Sequence, residues 1–171
     1  MLVPPTLSDP REPVSVLLIG PLVEDHVSLQ HILGRSNWLF RKVSTCREAL
    51  AHVRQYDTAV VICERDLPDG DWRLMMSKFE SLPLRPNLIV TSRLADDLLW
   101  AEVLNLGGYD VLAQPIDSAE VCRVVFLAWH EHNRRARVSA EGETAPHKTK
   151  ASAAAASFPE DHFKGAKLKA R

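Results

Sequence analysis

The chain reads TAVVICERDLPDG from Thr58 to Gly70, and this stretch decides the fold. It begins with an almost wholly apolar run, Thr58–Cys63, which is typical of a strand buried on both faces of a parallel sheet. The acidic residue Glu64 follows the run. Asp69-Gly70-Asp71 then favours the start of a helix that continues to about Phe79. The stretch therefore predicts a strand, a polar loop and a helix.

The same alternation of apolar run and amphipathic stretch repeats on both sides of this unit. Further strands are predicted at Val14–Ile19, Trp38–Val43, Asn87–Val90 and Tyr109–Ala113, and further helices at Glu24–Leu33, from Ser44 or Thr45 to Val53, at Ala95–Leu106 and from Asp117 or Ser118 onward. Consecutive βα units form parallel sheets, because parallel strands need crossovers, which are right-handed. We expect a doubly wound α/β fold with a five-stranded parallel sheet in the order 2-1-3-4-5, as in flavodoxin-like folds.

The composition is that of an ordinary globular protein. The chain has 171 residues, of which 46% are hydrophobic and 25% charged, and its net charge is −1. No apolar run approaches the roughly 20 residues of a membrane span, and the N-terminus does not read as a signal peptide. Cys46, Cys63 and Cys122 are widely spaced, which argues against a disulfide framework and a zinc site. We therefore expect a cytoplasmic domain, not a secreted mini-protein, a membrane protein or a zinc finger.

The two ends differ in composition from the middle of the chain. Residues 1–12 are proline-rich with little periodicity, and they are predicted to form a flexible arm. From Val138 onward the chain is rich in Ala, Ser and Lys, and its sizeable apolar anchors are Phe158, Phe163 and Leu168. Such a segment cannot bury enough surface to offset its ordering entropy. We expect a folded domain over residues 13–137 and a disordered tail over residues 138–171.

Functional residues of a doubly wound sheet lie beyond the carboxyl ends of the strands. After the third predicted strand the chain continues with Glu64 and the motif Leu67-Pro68-Asp69-Gly70, and after the fourth it continues with Thr91-Ser92. The fifth strand lies within GGYDVLAQP, from Gly107 to Pro115. In this order and spacing the loops resemble those of the receiver domains of bacterial two-component response regulators. The resemblance covers about residues 14–135.

The resemblance implies a phosphorylation site, from which this sequence departs. Receivers phosphorylate an aspartate at the end of the third strand, and two acidic residues after the first strand hold magnesium. A Thr or Ser after strand four and a Lys before the strand-five proline bind the phosphoryl oxygens. An aromatic residue three positions before that Lys changes position when the Thr or Ser moves. Here Glu64 stands at the aspartate position, Gln114 at the lysine position and Val111 at the aromatic position. Gly20 and Pro21 stand where receivers have the acidic pair. Thr91, which Ser92 follows, and Pro115 match the receiver pattern.

The departures change the expected chemistry. Phosphoryl transfer depends mostly on positioning and on positive charge beside the transferring group. Without the acidic pair and the lysine, we expect neither conventional phosphorylation nor bound magnesium, and no other cofactor. The chain is expected to be a stand-alone, degenerate receiver of two-component (phosphorelay) signalling that is not an enzyme and acts by binding another protein. Glu64 can imitate a phosphorylated aspartate if the Thr91 hydroxyl or the Gln114 amide bonds to it.

Three alternatives stay open at this point. Glu24 and Asp25 could supply oxygens to a metal if the first loop folds back, although acidic residues also suit a helix N-terminus. Asp66 could act as a substitute phosphate acceptor, or it could be an ordinary solvated loop residue. Cys63 beside Glu64 could serve a small flavodoxin-fold enzyme, whereas its place at the end of an apolar run favours a core cysteine.

The expected partner is another signalling protein, such as a histidine kinase or an output protein. In receivers the face made by the fourth helix, the fifth strand and the fifth helix commonly meets partners, and we place Trp100 and Tyr109 there. A homodimer through this face is a further option, and Trp100 could equally be a half-buried core residue.

Other kinds of site are not predicted. The histidine spacing predicts no metal site, and no glycine-rich phosphate loop follows the first strand. Arg134, Arg135 and Arg137 suit the C-terminus of a helix without a ligand. We therefore expect neither nucleic acid nor a membrane as a partner.

Overall fold

The computed structural model describes residues 14–21, 29, 31–32 and 38–143, without the side chains of residues 142 and 143. The expected arm over residues 1–12, most of the first expected helix and the tail beyond residue 143 lie outside the described residues. Leu29, His31 and Ile32 are helical, as predicted for this part of the chain.

Five parallel strands form the central sheet. They are β1 (Val14–Ile19), β2 (Trp38–Val43), β3 (Val60–Glu64), β4 (Asn87–Ser92) and β5 (Asp110–Ala113), in the order β2-β1-β3-β4-β5. The predicted fold class and strand order are therefore confirmed. Ile19 stands opposite Val43 and Cys63 in the neighbouring strands, and Glu64 stands opposite Thr91. This register brings the carboxyl ends of β1, β3 and β4 level with one another.

Besides the helical residues 29, 31 and 32, the described part of the chain contains four helices: α1 (Cys46–Gln55), α2 (Trp72–Phe79), α3 (Asp97–Asn105) and α4 (Ser118–Glu143). Their starts follow from the sequence, because short oxygen-bearing side chains bond to the free N–H groups of the first turn. Thr45 accepts from Glu48 N–H, Asp71 accepts from Leu74 N–H, and Asp96 accepts from Leu99 N–H. α3 ends at glycines as expected, and Gly107 adopts a φ of 85°, which favours glycine.

The core lies on both faces of the sheet, since the strands alternate their side chains between two apolar clusters. Leu17 and Ile19 of β1 pack on one side with α1, α2 and α3. Val16 and Leu18 pack on the other side with Leu29 and α4. Burial on both faces explains why the central strands are unbroken apolar runs.

The outer strands differ from the central ones. β2 lies at one edge of the sheet and exposes Leu39, Arg41 and Lys42 to solvent. β5 lies at the other edge and spans Asp110–Ala113. Between β3 and α2, Asp66–Leu67 pairs antiparallel with Gly70–Asp71 in a small hairpin that the sequence did not predict.

The end of α4 differs from the expectation. The helix runs to Glu143, whereas the predicted boundary between domain and tail fell after Arg137. Ala136, Ala140 and Glu141 are good helix formers, and the segment has no proline, so it extends the helix without an apolar stripe. The Ser139 hydroxyl also donates to the Arg135 carbonyl at 3.0 Å. Helix propensity therefore continues α4 beyond the last residues that have a helical pattern of apolar side chains.

Among the described residues, no helix combines the length and the apolar character needed to cross a membrane.

Candidate functional site at the carboxyl ends of the strands

The carboxyl ends of four strands and one helical residue surround a small cavity. Gly20 follows β1, Glu64 ends β3, Thr91 lies in β4 and Gln114 follows β5, and all four line the cavity. Apolar side chains complete the lining: Leu18, Ile19, Leu29 and Ile62. The cavity measures about 10 Å³, which is room for about one water molecule. The structure thus brings these four sequence-predicted residues together.

Glu64 occupies the end of β3 and is half-buried. It is level with Thr91 across the sheet, and the next residue, Arg65, donates its backbone N–H to the Thr91 carbonyl at 2.9 Å. The Cys63 thiol donates to the Glu64 carbonyl at 3.2 Å. The backbone on both sides of Glu64 is therefore held beside the cavity.

Thr91 and Ser92 end β4 and are both buried. The Ser92 hydroxyl accepts the Leu94 N–H at 3.0 Å, so this side chain supports the loop towards α3 and does not line the cavity. The Ser92 carbonyl accepts the Gln114 N–H at 2.9 Å, which fixes the backbone of Gln114 beside β4. Of the described residues, the polar ones that line the cavity are therefore Glu64, Thr91 and Gln114.

Three other predicted positions lie away from the cavity. Pro21 is exposed, and Pro115 follows Gln114 through a cis peptide bond and is also exposed. Val111 is half-buried and packs against the cluster on the other side of β5. None of the three lines the cavity.

Leu29 is a site residue that the sequence reasoning missed. Its side chain is only 3% exposed and reaches the cavity from the helix that follows β1. Leu29 belongs to the apolar stripe of the helix predicted over Glu24–Leu33, with Val27, Ile32 and Leu33, but periodicity cannot tell which part of the sheet such a residue covers. Leu29 makes this end of the sheet more apolar than the loop residues alone indicate.

The described residues contain no group of three or more His, Cys, Asp and Glu side chains that could hold a metal ion. Glu24 and Asp25, which the sequence left open as metal ligands, lie outside the described residues. Asp66 faces solvent with 73% of its side chain exposed, and it pairs with Arg65 at 2.8 Å. Asp66 thus has the geometry of a solvated loop residue.

Cys63 lies in the core. The residue is fully buried and belongs to the cluster beneath α1, α2 and α3. Burial raises the pKa of its thiol well above the ordinary value, and the neighbouring Cys46 acts in the same direction. A neutral thiol without solvent access is a poor nucleophile, so the interpretation of Cys63 as a core residue is confirmed.

Trp100 and Tyr109, which we expected on one partner face, line different grooves. Trp100 on α3 is 50% exposed, and its indole N–H donates to Asp110 Oδ1 at 3.2 Å. It lies in a groove with Asp96, Val111 and Glu120. Tyr109 instead packs with Trp129 against the α4 side of the sheet. Val111 and Leu112 are successive residues of β5 and pack on opposite faces of the sheet, whereas Tyr109 precedes the strand and packs on the same side as Leu112.

Comparisons with known proteins concern the fold. No protein-family model matches the chain, and no curated protein matches it. The signal receiver domain of an HD domain-containing protein from Pseudomonas fluorescens superposes with a TM-score of 0.69 at 19% identity, covering 78% of this chain and 98% of that one. The signal receiver domain of a Luxo repressor protein from Vibrio parahaemolyticus gives 0.69 at 17% identity, covering 74% and 97%.

A third solved structure shows the same likeness. A CheY-like response regulator receiver domain protein from Methanospirillum hungatei gives a TM-score of 0.64 at 15% identity, covering 72% of this chain and 99% of that one. Each of these domains is covered almost completely, and the strand order found here is the one that the resemblance implied. The chain therefore has the fold of a response regulator receiver domain.

Proposed function

We propose that this chain is a receiver-fold module of two-component signalling that carries no phosphoryl group and acts by binding another protein. The observation that carries the proposal is the cavity at the carboxyl ends of the strands. It has room for about one water, and the polar residues among its described lining are Glu64, Thr91 and Gln114.

The charge of this cavity opposes phosphoryl transfer. Among the described residues that line it, Glu64 is the acidic one and none is Lys or Arg. A transferred phosphoryl group adds negative charge and needs a cation or a metal ion beside it. Next to Glu64 that charge would be repelled, because Coulomb energies are large in a half-buried environment.

The size of the cavity points in the same direction. A phosphoryl group has three oxygens around phosphorus and needs several times the room of one water. Leu29 and Ile62 occupy part of this end of the sheet, and both are almost fully buried. A phosphoryl group therefore does not fit inside the cavity as it stands.

Glu64 supplies a permanent negative charge at the acceptor position in this proposal. Its backbone is level with that of Thr91, and both residues line the same cavity. In a receiver whose shape depends on charge at this point, a fixed carboxylate gives one constant state. The module then signals by binding its partner whenever both proteins are present, and this binding does not depend on a phosphorylation cycle.

Binding to a signalling partner rests on the exposed surface around Trp100. The side chain is half-exposed and its indole N–H is bonded to Asp110, which holds the ring in place. Fixed, exposed aromatic side chains are typical anchors of protein interfaces. A histidine kinase, an output protein or a second copy of the chain fits this role.

The first experiment is intact mass after incubation with acetyl phosphate and magnesium, with an active receiver domain as a positive control. We expect no gain of a phosphoryl mass. Glu64→Asp is the matched variant, because it restores the shorter acceptor while the charges around it stay unchanged. We expect it to remain unmodified as well.

The proposal is wrong if the native chain gains one phosphoryl mass and loses that gain in Glu64→Ala or in Asp66→Ala. The loss in one of these variants would identify the acceptor. The partner is then sought by pull-down with the native chain and with Trp100→Ala, and we expect the variant to capture it less well.

A further inference from the structure

A second surface lies on α4, away from the cavity. We call it the α4 groove, and its aromatic and apolar lining consists of Tyr109, Phe126, Leu127, Trp129, His130 and Val138. The groove has a volume of about 1010 Å³ and continues along the helix as far as Glu141. It is much larger than the cavity at the strand ends.

The aromatic rings of the groove are packed against one another. The Phe126 and His130 ring centroids are 4.6 Å apart with an edge-to-face arrangement, and Trp129 lies 5.0 Å from His130. Phe126 and Trp129 are 6.1 Å apart. Rings that support each other in this way form a shaped apolar surface that loses little entropy on binding.

This surface is the unpartnered side of α4 within the described residues. Val121, Val124 and Ala128 of the same helix are buried against the sheet. On the groove side, Phe126 remains 48% exposed and Val138 60% exposed. Contiguous exposed aromatic and aliphatic side chains usually mark a binding surface.

The chain itself continues from the end of this groove. The last lining residue is Glu141, α4 ends at Glu143, and residues 144–171 follow. Phe158 is fifteen residues beyond Glu143 in the sequence, a contour of up to about 50 Å at the extended length per residue. The distance along α4 from Glu143 to Phe126 is about 26 Å at the helical rise per residue. The C-terminal segment is therefore long enough to reach the whole groove.

The chemistry of this segment matches that of the groove. Phe158 and Phe163 supply two aromatic side chains, and they bracket the acidic pair Glu160 and Asp161. The groove offers aromatic rings together with the guanidinium groups of Arg134 and Arg137, and Glu131 and Glu141 also line it, with Glu131 paired to Arg134 at 2.7 Å. A tethered segment is present at an effective concentration of about the millimolar range, so modest contacts suffice.

We propose that residues 158–163 of the chain's own C-terminal segment dock in the α4 groove. Phe158 and Phe163 pack on the rings of Phe126 and Trp129, and the intervening carboxylates face the two arginines. The inference goes beyond the proposed function, because it concerns a surface that the phosphorylation site does not involve. It implies that a partner of this groove must first displace the chain's own segment.

The test is paramagnetic broadening in the full chain. A nitroxide is attached at Ala166→Cys in a Cys122→Ser background, where the remaining cysteines, Cys46 and Cys63, are buried. We expect the Trp129 indole signal and the α4 amides between Phe126 and Val138 to lose most of their intensity. The Trp100 indole signal, which belongs to another groove, is the internal reference and keeps its intensity.

Two further samples decide between occupants. Phe158→Ala with Phe163→Ala removes the anchors and abolishes the broadening, whereas the matched change Leu168→Ala retains it. A mixture of isotope-labelled chains without nitroxide and unlabelled chains with nitroxide shows no broadening if the contact is within one chain.

Three results overturn the inference. They are the absence of broadening on α4, broadening that survives the double Phe variant, and broadening that occurs between chains and identifies a second copy as the occupant. None of them bears on phosphorylation, so a failure here is distinguishable from a failure of the proposed function.

Discussion

The Asp69 carboxylate accepts the backbone N–H of Cys46 at 2.7 Å, and its second oxygen accepts the N–H of Arg47 at 3.0 Å. Both donors belong to the first turn of α1, whereas Asp69 lies in the loop between β3 and α2. These bonds lower the pKa of Asp69, with the Cys46 N–H as the largest cause. One side chain therefore fastens the loop that follows Glu64 to a neighbouring helix.

Asp69→Asn is expected to lower the melting temperature at pH 7, because it removes the negative charge and one of the two acceptors. The folded pKa of Asp69 lies below its ordinary 3.8, so its contribution is present above that value and is lost as pH falls through the folded pKa. Thermal unfolding at pH 7 and near pH 3 measures this, and the difference between native chain and variant shrinks in acid. Asp66→Asn, which removes an exposed carboxylate of the same loop, is the control and has little effect.

Arg73 and Glu102 join α2 to α3 through two hydrogen bonds of 2.6 Å each. Both side chains are partly exposed, so we expect a coupling free energy of no more than about 1 kcal/mol. A double-mutant cycle with Arg73→Gln and Glu102→Gln in urea measures it, and the coupling falls as salt is added. A coupling that does not depend on salt would contradict the assignment to an exposed ion pair.

His132 is expected to make the protein less stable in mild acid. Its side chain is 2% exposed, and burial lowers its pKa from 6.5, although Asp57 at 3.7 Å from Nε2 opposes the shift. A lowered pKa means that the unfolded chain takes up the proton first. Stability therefore falls as pH decreases through 6.5, by at most about 1.4 kcal/mol per pH unit.

The measurement is the free energy of unfolding in urea between pH 5 and pH 8. His132→Phe removes this titration, so its stability depends less on pH in that range than that of the native chain. Asp57→Asn is expected to make the stability depend more strongly on pH, because without the Asp57 carboxylate the pKa of His132 in the folded chain falls further. An unchanged slope in His132→Phe would assign the effect to other groups, such as His52, whose pKa is also lowered by burial.

Leu29 and Leu39 form a matched pair of leucines with opposite environments. Leu29 is 3% exposed and lines the cavity, whereas Leu39 on β2 is 61% exposed. We expect Leu29→Ala to reduce the free energy of unfolding by about 2 to 5 kcal/mol, because it enlarges an existing cavity. Leu39→Ala is expected to change it by about 0.5 kcal/mol or less. Similar losses in both variants would mean that Leu29 is not packed as described.

The central strands were predictable because both of their faces are buried and apolar, a pattern that the edge strand β2 lacks, since it exposes Leu39, Arg41 and Lys42. Val14–Ile19 and Trp38–Val43 were predicted with the bounds that the structure has. The third strand begins later and ends later than predicted, since Thr58 bonds to the Tyr56 carbonyl and Glu64 still pairs with β4. A polar residue that ends a ladder cannot be told from a loop residue by hydropathy alone.

The candidate site was only partly predictable. Spacing from the strands identified Gly20, Glu64, Thr91 and Gln114, because parallel strands end at the same edge of the sheet. It could not show that Leu29 fills the space between them, or that Asp69 caps α1 across the loop. Both depend on contacts between segments far apart in sequence, for which neither propensity nor periodicity carries a signal.

The sequence also did not predict a polar network at the amino end of β4, the end of the strand that lies away from the cavity. Asn87 donates to the Ala128 carbonyl and accepts from Arg135 Nη2 at 2.7 Å, which ties the start of β4 to α4. From the sequence, Arg135 was expected at a helix C-terminus without a partner, whereas the helix continues to Glu143. The amide of Asn87 gives Arg135 a partner that only the tertiary fold supplies.

The two outer strands affect how the protein behaves when it is concentrated. Unpaired strand edges are where sheets of separate molecules join and aggregate. β2 presents the charged side chains of Arg41 and Lys42 to solvent, and β5 spans only Asp110–Ala113, so neither edge offers a long apolar template. Growth of an intermolecular sheet is therefore disfavoured at both ends, and any self-association of the folded chain is directed to its helices.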